Sequence, residues 1–283
     1  MIRSVKHICL YAAALLTAAG CSQPEGDAAG EGVVRLSAEV AVAMDAATRA
    51  GRVGLDELGC TGLPAASDMM LRVVSADGKH PYDQTFKGPQ QLTLFATTYD
   101  VSMYAAGAEP QYDDDGVLVC DEGENKPFFA GSQSVAVPKG GETSVQLTAG
   151  VANTVVCVKF SENFMGYFGN GAEFTIATDA GNSFGAGYDA GAGEAGVHYY
   201  FVQPRRFVIS GWALKQTPAS GMSPVKVEFA DTVNESPAAG TMYTYTFDVS
   251  TVGSSDGGVQ ITLNGDPVET EEVDTELNPG ARP

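Results

Sequence analysis

Short runs of β-branched and aromatic residues, some of which alternate with polar residues, follow one another along most of the chain, separated by Gly, Pro, Asn and Asp. From Tyr243 to Val249 every second residue is aromatic or apolar, and Thr244, Thr246 and Asp248 stand between them. A period of two predicts β-strands with one buried face and one wet face. The runs predicted to be strands are 33–40, 70–74, 91–95, 99–104, 134–137, 143–147, 154–160, 173–177, 197–202, 207–214, 225–229, 242–249 and 259–263.

Little helix is expected between these strands. Residues 161–168 predict one short helix, with Ser161 as its N-cap and with Phe164 and Phe168 on one face. Residues 55–63 predict another turn or two of helix. The glycine-rich segment 178–196 predicts a long flexible loop.

The spacing of the strands predicts an all-β fold built from antiparallel β-sandwiches. Strands separated by turn residues every ~8–12 positions are typical of this architecture, and one sandwich takes ~100 residues. The chain of 283 residues is therefore long enough for two, with a natural division at Ala149 and Gly150. We expect an N-terminal sandwich over residues 32–149, a C-terminal sandwich over 150–277 and a short tail at 278–283.

The first 20 residues have the pattern of an export signal. Arg3 and Lys6 precede an apolar run at 8–19, which is shorter than the roughly 20 residues that a membrane span needs. Residues 16–21 (LTAAGC) resemble a bacterial lipobox, in which the cysteine, here Cys21, is lipidated after cleavage on its N-terminal side. An ordinary signal peptide with an incidental cysteine is the alternative. If Cys21 is lipidated, residues 21–31 form a flexible polar tether.

Charge and cysteine content narrow the class of protein. The chain has 35 acidic and 16 basic residues, and its net charge of −19 becomes −21 without residues 1–20. Such a charge repels phosphate backbones, so nucleic acid is not an expected partner. Cys60, Cys120 and Cys157 show no C-x-x-C spacing, which argues against a zinc site or a thioredoxin-like site. Apolar neighbours favour buried free thiols at Cys120 and Cys157, and one disulfide is left open.

An acidic segment between two predicted strands offers oxygen ligands. Asp113, Asp115 and Asp121 are its candidate calcium ligands, because Ca²⁺ binds several carboxylate oxygens. The segment lacks the glutamate that an EF-hand loop requires. A solvated acidic loop accounts for the same residues, and no cofactor is expected.

Trp212 and Tyr199 are the candidates for binding a sugar, because exposed aromatic rings stack on the apolar faces of sugar rings. Their position on alternating strands is also typical of core residues. No nucleophile elbow, P-loop or dinucleotide fingerprint occurs in the sequence, so we expect no catalytic residue.

Several short motifs together resemble one group of exported proteins. They are the lipobox, Thr48-Arg49-Ala50 after the first strand, the run 94–101, the segment 127–131 (PFFAG), the hairpin 135–147 and the strand 155–160. In this order they resemble the fimbrillin-like cell-adhesion lipoproteins of Bacteroidota, a group that includes relatives of unassigned function. The resemblance implies two β-sandwiches of transthyretin-like topology, displayed at the cell surface and without catalysis.

The resemblance also implies a way of working. In the related pilins, cleavage after an arginine releases the first strand, and a strand of the next subunit fills the groove. The matching positions here are Arg49 and Ala50, and an exposed, uncleaved loop is the alternative. We expect a lipoprotein of the cell outer membrane that acts as a structural or adhesive, fimbria-related subunit, with other fimbrial subunits or host and glycan surfaces as partners. A glycan-binding accessory lipoprotein of a polysaccharide-uptake system is the second hypothesis.

Overall fold

The computed structural model describes residues 30–47, 52–60, 62–216 and 223–249, together with the backbone of two strands between residues 259 and 271. The strands are β1 (Glu31–Val40), β2 (Ala43–Ala46), β3 (Arg52–Gly54), β4 (Met69–Ser75), β5 (Asp83–Lys87), β6 (Gln90–Phe95), β7 (Thr98–Ala105), β8 (Gln111–Tyr112), β9 (Leu118–Val119), β10 (Gly123–Glu124), β11 (Phe129–Ala136), β12 (Glu142–Val151), β13 (Thr154–Phe160), β14 (Gly171–Thr178), β15 (Ser183–Asp189), β16 (Tyr199–Val202), β17 (Phe207–Leu214), β18 (Lys226–Asn234), β19 (Thr241–Val249), β20 (Val259–Leu263) and β21 (Asp266–Glu271).

Helix is confined to short pieces. The predicted helix is confirmed as α1 (Glu162–Tyr167), and the Ser161 hydroxyl accepts a hydrogen bond from the Phe164 N–H at 3.0 Å, as an N-cap does. Residues 66–68 form a single 3-10 turn, and residues 55–59 form turns in place of the expected helical turns. Within the described ranges no helix has the length and apolar character needed to cross a bilayer.

Three sheets contain nearly all of the strands. The first sheet has the order β5-β4-β7-β11-β12-β1-β6. The second has the order β10-β16-β13-β19-β2-β3, with β20 paired to β19 and β21 paired to β20. The third sheet has the order β15-β14-β17-β18, and β8 and β9 form a small separate hairpin. Most pairs are antiparallel, whereas β1–β12, β13–β19 and β19–β2 are parallel. The expected all-β, sandwich-like fold is confirmed.

The second sheet is a middle layer, because its strand β13 is buried on both faces. Val155 and Cys157 pack into one hydrophobic cluster with residues of the first sheet. Val156 and Val158 point the other way, into a second cluster shared with the third sheet and α1. A strand covered on both sides requires an unbroken apolar run, and residues 155–158 supply it.

The second cluster is mainly aromatic. Phe164 on α1 lies 4.6 Å from Phe168 between ring centroids, and Phe174 on β14 lies 4.3 Å from Phe247 on β19. Phe229 on β18 contacts three of these four rings within 6 Å. These contacts join α1, the middle sheet and the third sheet through one set of rings.

The prediction of a flexible loop at residues 178–196 is wrong. Strand β15 lies inside this segment and pairs with seven residues of β14. Its alternation is concealed because the outward positions include Gly185 and Gly187, while Phe184 and Tyr188 pack against the second cluster. A Cβ at Gly187 would collide with the Ala172 carbonyl oxygen, so the close approach of the two strands requires glycine there.

The three cysteines of the body are free thiols. Cys60 and Cys157 are buried and Cys120 is half-buried. Burial raises the pKa of Cys120 and of Cys157 to about 11, and the nearby carboxylates of Glu122 and Asp121 act in the same direction on Cys120. These thiols are therefore protonated and unreactive at neutral pH.

Replacing Phe164 with Ala should destabilise the protein by about 3–5 kcal/mol, because it removes a fully buried ring from the centre of the aromatic cluster. Phe95→Ala is the matched control, since this ring is 48% exposed, and it should cost less than about 1 kcal/mol. Urea unfolding followed by circular dichroism measures both. Equal losses of stability would contradict the layered core described above.

Candidate functional site

Strand β1 lies between two strands of the first sheet. It pairs in parallel with β12 from Val33 opposite Glu142 to Val40 opposite Ala149, and antiparallel with β6 over six positions. A tight hairpin cannot join parallel strands, and the chain forms ten other strands between β1 and its parallel partner β12. Strand β1 therefore lies between two strands, β12 and β6, that both come later in the chain. Its backbone hydrogen bonds are thus made on both sides.

The inner face of β1 completes the first hydrophobic cluster. Val34 and Leu36 are almost fully buried, at 2% and 3% exposure, and Ala38 and Val40 pack at the edge of the same cluster. Removing β1 would therefore open a groove with an apolar floor and unpaired backbone groups along both walls. Such a groove binds an extended segment with apolar residues at every second position.

The outer face of β1 is attached to β12 by side chains. Arg35 forms an exposed ion pair with Glu142. The Glu39 carboxylate accepts hydrogen bonds from Gln146 Nε2 and Thr148 Oγ1, both at 2.6 Å. These polar contacts fix the register of β1 along β12, while the buried side chains supply the apolar contacts.

The chain then leaves the first sheet and enters the second. Strand β2 pairs in parallel with β19, where Asp45 lies opposite Thr241, and antiparallel with β3. The predicted processing positions Arg49 and Ala50 lie between β2 and β3 and outside the described residues, as does the predicted lipidation site Cys21. A cut after Arg49 would separate β1 and β2 together from the rest of the chain.

The three predicted calcium ligands are not brought together. Asp113 accepts hydrogen bonds from the N–H groups of Asp115 and Val117, at 3.0 and 2.8 Å, and forms an ion pair with Arg205. These contacts, the Val117 N–H first, lower the pKa of Asp113. Asp121 instead pairs with Lys126 at 3.2 Å. In the part of the chain that the structure describes, no three His, Cys, Asp or Glu side chains are arranged to hold a metal ion.

Trp212 and Tyr199, the predicted sugar-stacking residues, lie in different sheets. Tyr199 is on β16 of the middle sheet and packs against the first hydrophobic cluster. Trp212 is on β17 of the third sheet, half-buried and outside both described clusters. The structure therefore separates the two rings.

The neighbours of Trp212 were not singled out from the sequence. Glu173 on β14 and Glu228 on β18 lie directly opposite it across the strand pairs. The Lys226 Nζ atom lies 4.9 Å from the centroid of its ring, which is a cation–π contact. Only the pairing register brings these residues together, and a single sequence carries no signal of that register.

A family model for a domain of unknown function, DUF4493, matches residues 30–279. The chain belongs to this DUF4493 family. No curated protein matches the sequence of this DUF4493 chain.

Several solved structures are similar to the DUF4493 chain. A proposed cell adhesion protein from Bacteroides eggerthii is 11% identical with a TM-score of 0.41, and the match covers 84% of this chain and 97% of that one. The fimbrial anchor protein Mfa2 from Porphyromonas gingivalis is 10% identical with a TM-score of 0.37, over 84% and 99%. A proposed polysaccharide binding protein from Bacteroides thetaiotaomicron is 10% identical with a TM-score of 0.39, over 86% and 99%.

The extent of these matches differs between relatives. The DUF4493 chain spans 34% of the Bacillus anthracis TIE protein, which matches 77% of this chain at 14% identity and a TM-score of 0.25. Adhesion and fimbrial proteins of Bacteroidota are thus among the structures similar to this chain, as the sequence motifs predict.

The Arg35–Glu142 pair should make the anchoring of β1 depend on pH. Its hydrogen bond and charge hold the pKa of Glu142 below the usual range. A lowered pKa stabilises the folded state fully above the unfolded value of about 4.3, and that contribution is lost as the pH falls through the folded value. Glu142→Gln should therefore unfold at a slightly lower urea concentration than the parent at pH 7, and this difference should be smaller at pH 2.

The control for this measurement is Asp114→Asn, which changes an exposed carboxylate of the acidic segment. It should leave the urea midpoint unchanged at both pH values. A difference between Glu142→Gln and the parent that is as large at pH 2 as at pH 7 would contradict an electrostatic role for this pair.

Proposed function

We propose that this DUF4493 protein is a structural or adhesive subunit of a cell-surface assembly, in which strand β1 is exchanged for a strand of a neighbouring subunit. The observation that carries the proposal is the insertion of β1 between β12 and β6, with Val34 and Leu36 buried beneath it. A strand with the same alternation would restore both the backbone hydrogen bonds and the apolar contacts. Replacing β1 with such a strand would therefore change the free energy of the folded protein little.

The predicted lipid on Cys21 gives this exchange a second effect. The tether at residues 21–31 leads directly into β1, which begins at Glu31. A cut after Arg49 would remove the lipid, the tether, β1 and β2 in one fragment. Cleavage would open the groove and release the body from the outer membrane in the same step, whereas the uncleaved protein would stay anchored with its groove filled.

A glycan-binding accessory lipoprotein of a polysaccharide-uptake system is the second candidate function. The position of Trp212 on the outer face of the third sheet, away from the described core, favours it. In that role β1 would be a permanent part of the first sheet. The two candidates differ in whether β1 can leave.

Limited digestion of the purified, non-lipidated protein with an arginine-specific protease should cut after Arg49 and convert the monomer into a ladder of SDS-resistant oligomers. The physical reason is that each opened groove can bind the strand of another molecule along its whole length. Mass spectrometry locates the cut, and unheated SDS gels record the ladder. Complete cutting with only monomer remaining would contradict strand exchange.

Two variants and one peptide make this experiment specific. Arg49→Ala should prevent both the cut and the ladder, whereas Arg52→Ala, which changes an exposed arginine at the start of β3, should leave both intact. A synthetic peptide of residues 31–42 in excess should fill the groove and suppress the ladder. The same peptide with Leu36→Asp should not, because it would place a charge where an apolar side chain is buried.

A further inference from the structure

We propose that the outer face of the third sheet carries a binding site for a neutral glycan, built around Trp212. This residue is the one tryptophan of the sequence, and its ring belongs to neither described hydrophobic cluster. An indole ring held at the surface instead of in an available core offers a flat apolar face to a ligand. Pyranose rings present matching apolar C–H faces.

The strand order leaves one side of Trp212 open to a ligand. On the β18 side, Lys226 lies over the ring. On the β14 side, Trp212 borders an open cavity of about 450 Å³ whose other walls are β14 and β15. This volume lies within the ~300–1,000 Å³ range of small-molecule sites. The lysine thus holds the ring from one side while the cavity adjoins the other.

Glycines of β15 leave space for the ligand in front of Trp212. Gly185 and Gly187 stand on the outward face of β15, opposite Thr175 and Glu173 of β14. Close packing against β14 requires glycine at 187, but a Cβ at Gly185 would meet nothing within 4 Å. The space in front of Gly185 could hold a side chain, and glycine at this position leaves it empty.

The charges around the cavity favour a ligand that donates hydrogen bonds. Glu173 and Asp189 line the cavity, and neither carboxylate has a hydrogen-bond or ion-pair partner among the described side chains. The nearby cation, Lys226, already pairs with Glu228 at 2.9 Å. Sugar hydroxyls can donate to free carboxylates, whereas uronic or sialic acids would be repelled. This charge pattern selects a neutral glycan.

The site does not depend on strand exchange at β1. Trp212 lies in the third sheet, whereas β1 lies in the first, and the middle sheet stands between them. A subunit that polymerises and a permanently anchored lipoprotein could both use it. Failure of either hypothesis leaves the other open to its own experiment.

Intrinsic fluorescence tests the site directly, because Trp212 is the sole indole reporter in the protein. We expect neutral hexasaccharides of glucan, mannan or xylan to change its emission saturably, with at least one of the three binding. Hexasaccharides of polygalacturonic acid should bind at least tenfold more weakly. No change with any neutral sugar, or equal binding of the acidic one, would overturn the proposal.

Two variants separate a binding site from a structural tryptophan. Trp212→Ala should weaken binding at least tenfold in calorimetry. Gly185→Val keeps the fluorophore and has room for its Cβ, yet it should also weaken binding at least tenfold by filling the cavity. Tyr112→Ala, at a 61% exposed ring elsewhere, is the control and should bind as the parent does. Unchanged binding by a folded Gly185→Val protein would overturn the assigned cavity.

Discussion

The burial of both faces of the middle sheet is the constraint on which the rest of the structure depends. Successive residues of β16 show it, because Phe201 packs into the first cluster while Tyr200 and Val202 pack into the second. Each core therefore obtains one wall from the same strands. Weakening the middle sheet would expose apolar surface on both of its sides, because the first sheet and the third sheet each bury their apolar face against it.

The middle sheet also has to begin without leaving buried polar groups unpaired. Asn153 and Thr154, at the start of β13, are completely buried. Asn153 Oδ1 accepts a hydrogen bond from the Phe128 N–H, and Thr154 Oγ1 donates to the Ala238 carbonyl at 2.9 Å. Nearby, Glu122 accepts from the Gln203 N–H at 2.7 Å and from Thr178 Oγ1 at 2.7 Å. The acidic segment is thus bound to the middle and third sheets by satisfied hydrogen bonds.

Local alternation in the sequence predicts the regular strands well and the special ones poorly. Residues 207–214 are predicted as a strand and form β17 with the same bounds, because the segment is rich in β-branched and aromatic residues and turn residues flank it. Strands β2 and β3, with four and three residues, are too short to show a period. Parallel partners lie far apart in the chain, so no local pattern indicates that β1 joins β12 or that β2 joins β19.

The candidate sites also depend on long-range pairing that no local sequence pattern indicates. Residue type alone groups Trp212 with Tyr199, and pairing register places them in different sheets. Asp113 meets Arg205 from 92 positions away, which no spacing rule anticipates. The division of the chain at residues 149 and 150 stays a prediction, and its two sides share a hydrophobic cluster, since Met242 and Phe201 belong to the first.

The parallel pairing of β1 with β12 and of β2 with β19 has a consequence for the order in which the protein folds. During synthesis from the N-terminus, β1 emerges first. The partner of Arg35, Glu142, lies 107 positions later in the chain, and the partner of Ala46, Met242, lies later still. Contacts of such long sequence separation form slowly, because a large loop has to close before they repay its entropy. Strand β1, which strand exchange would replace, therefore obtains its partner β12 slowly, and β2, which the same cut would remove, has a still more distant partner in β19.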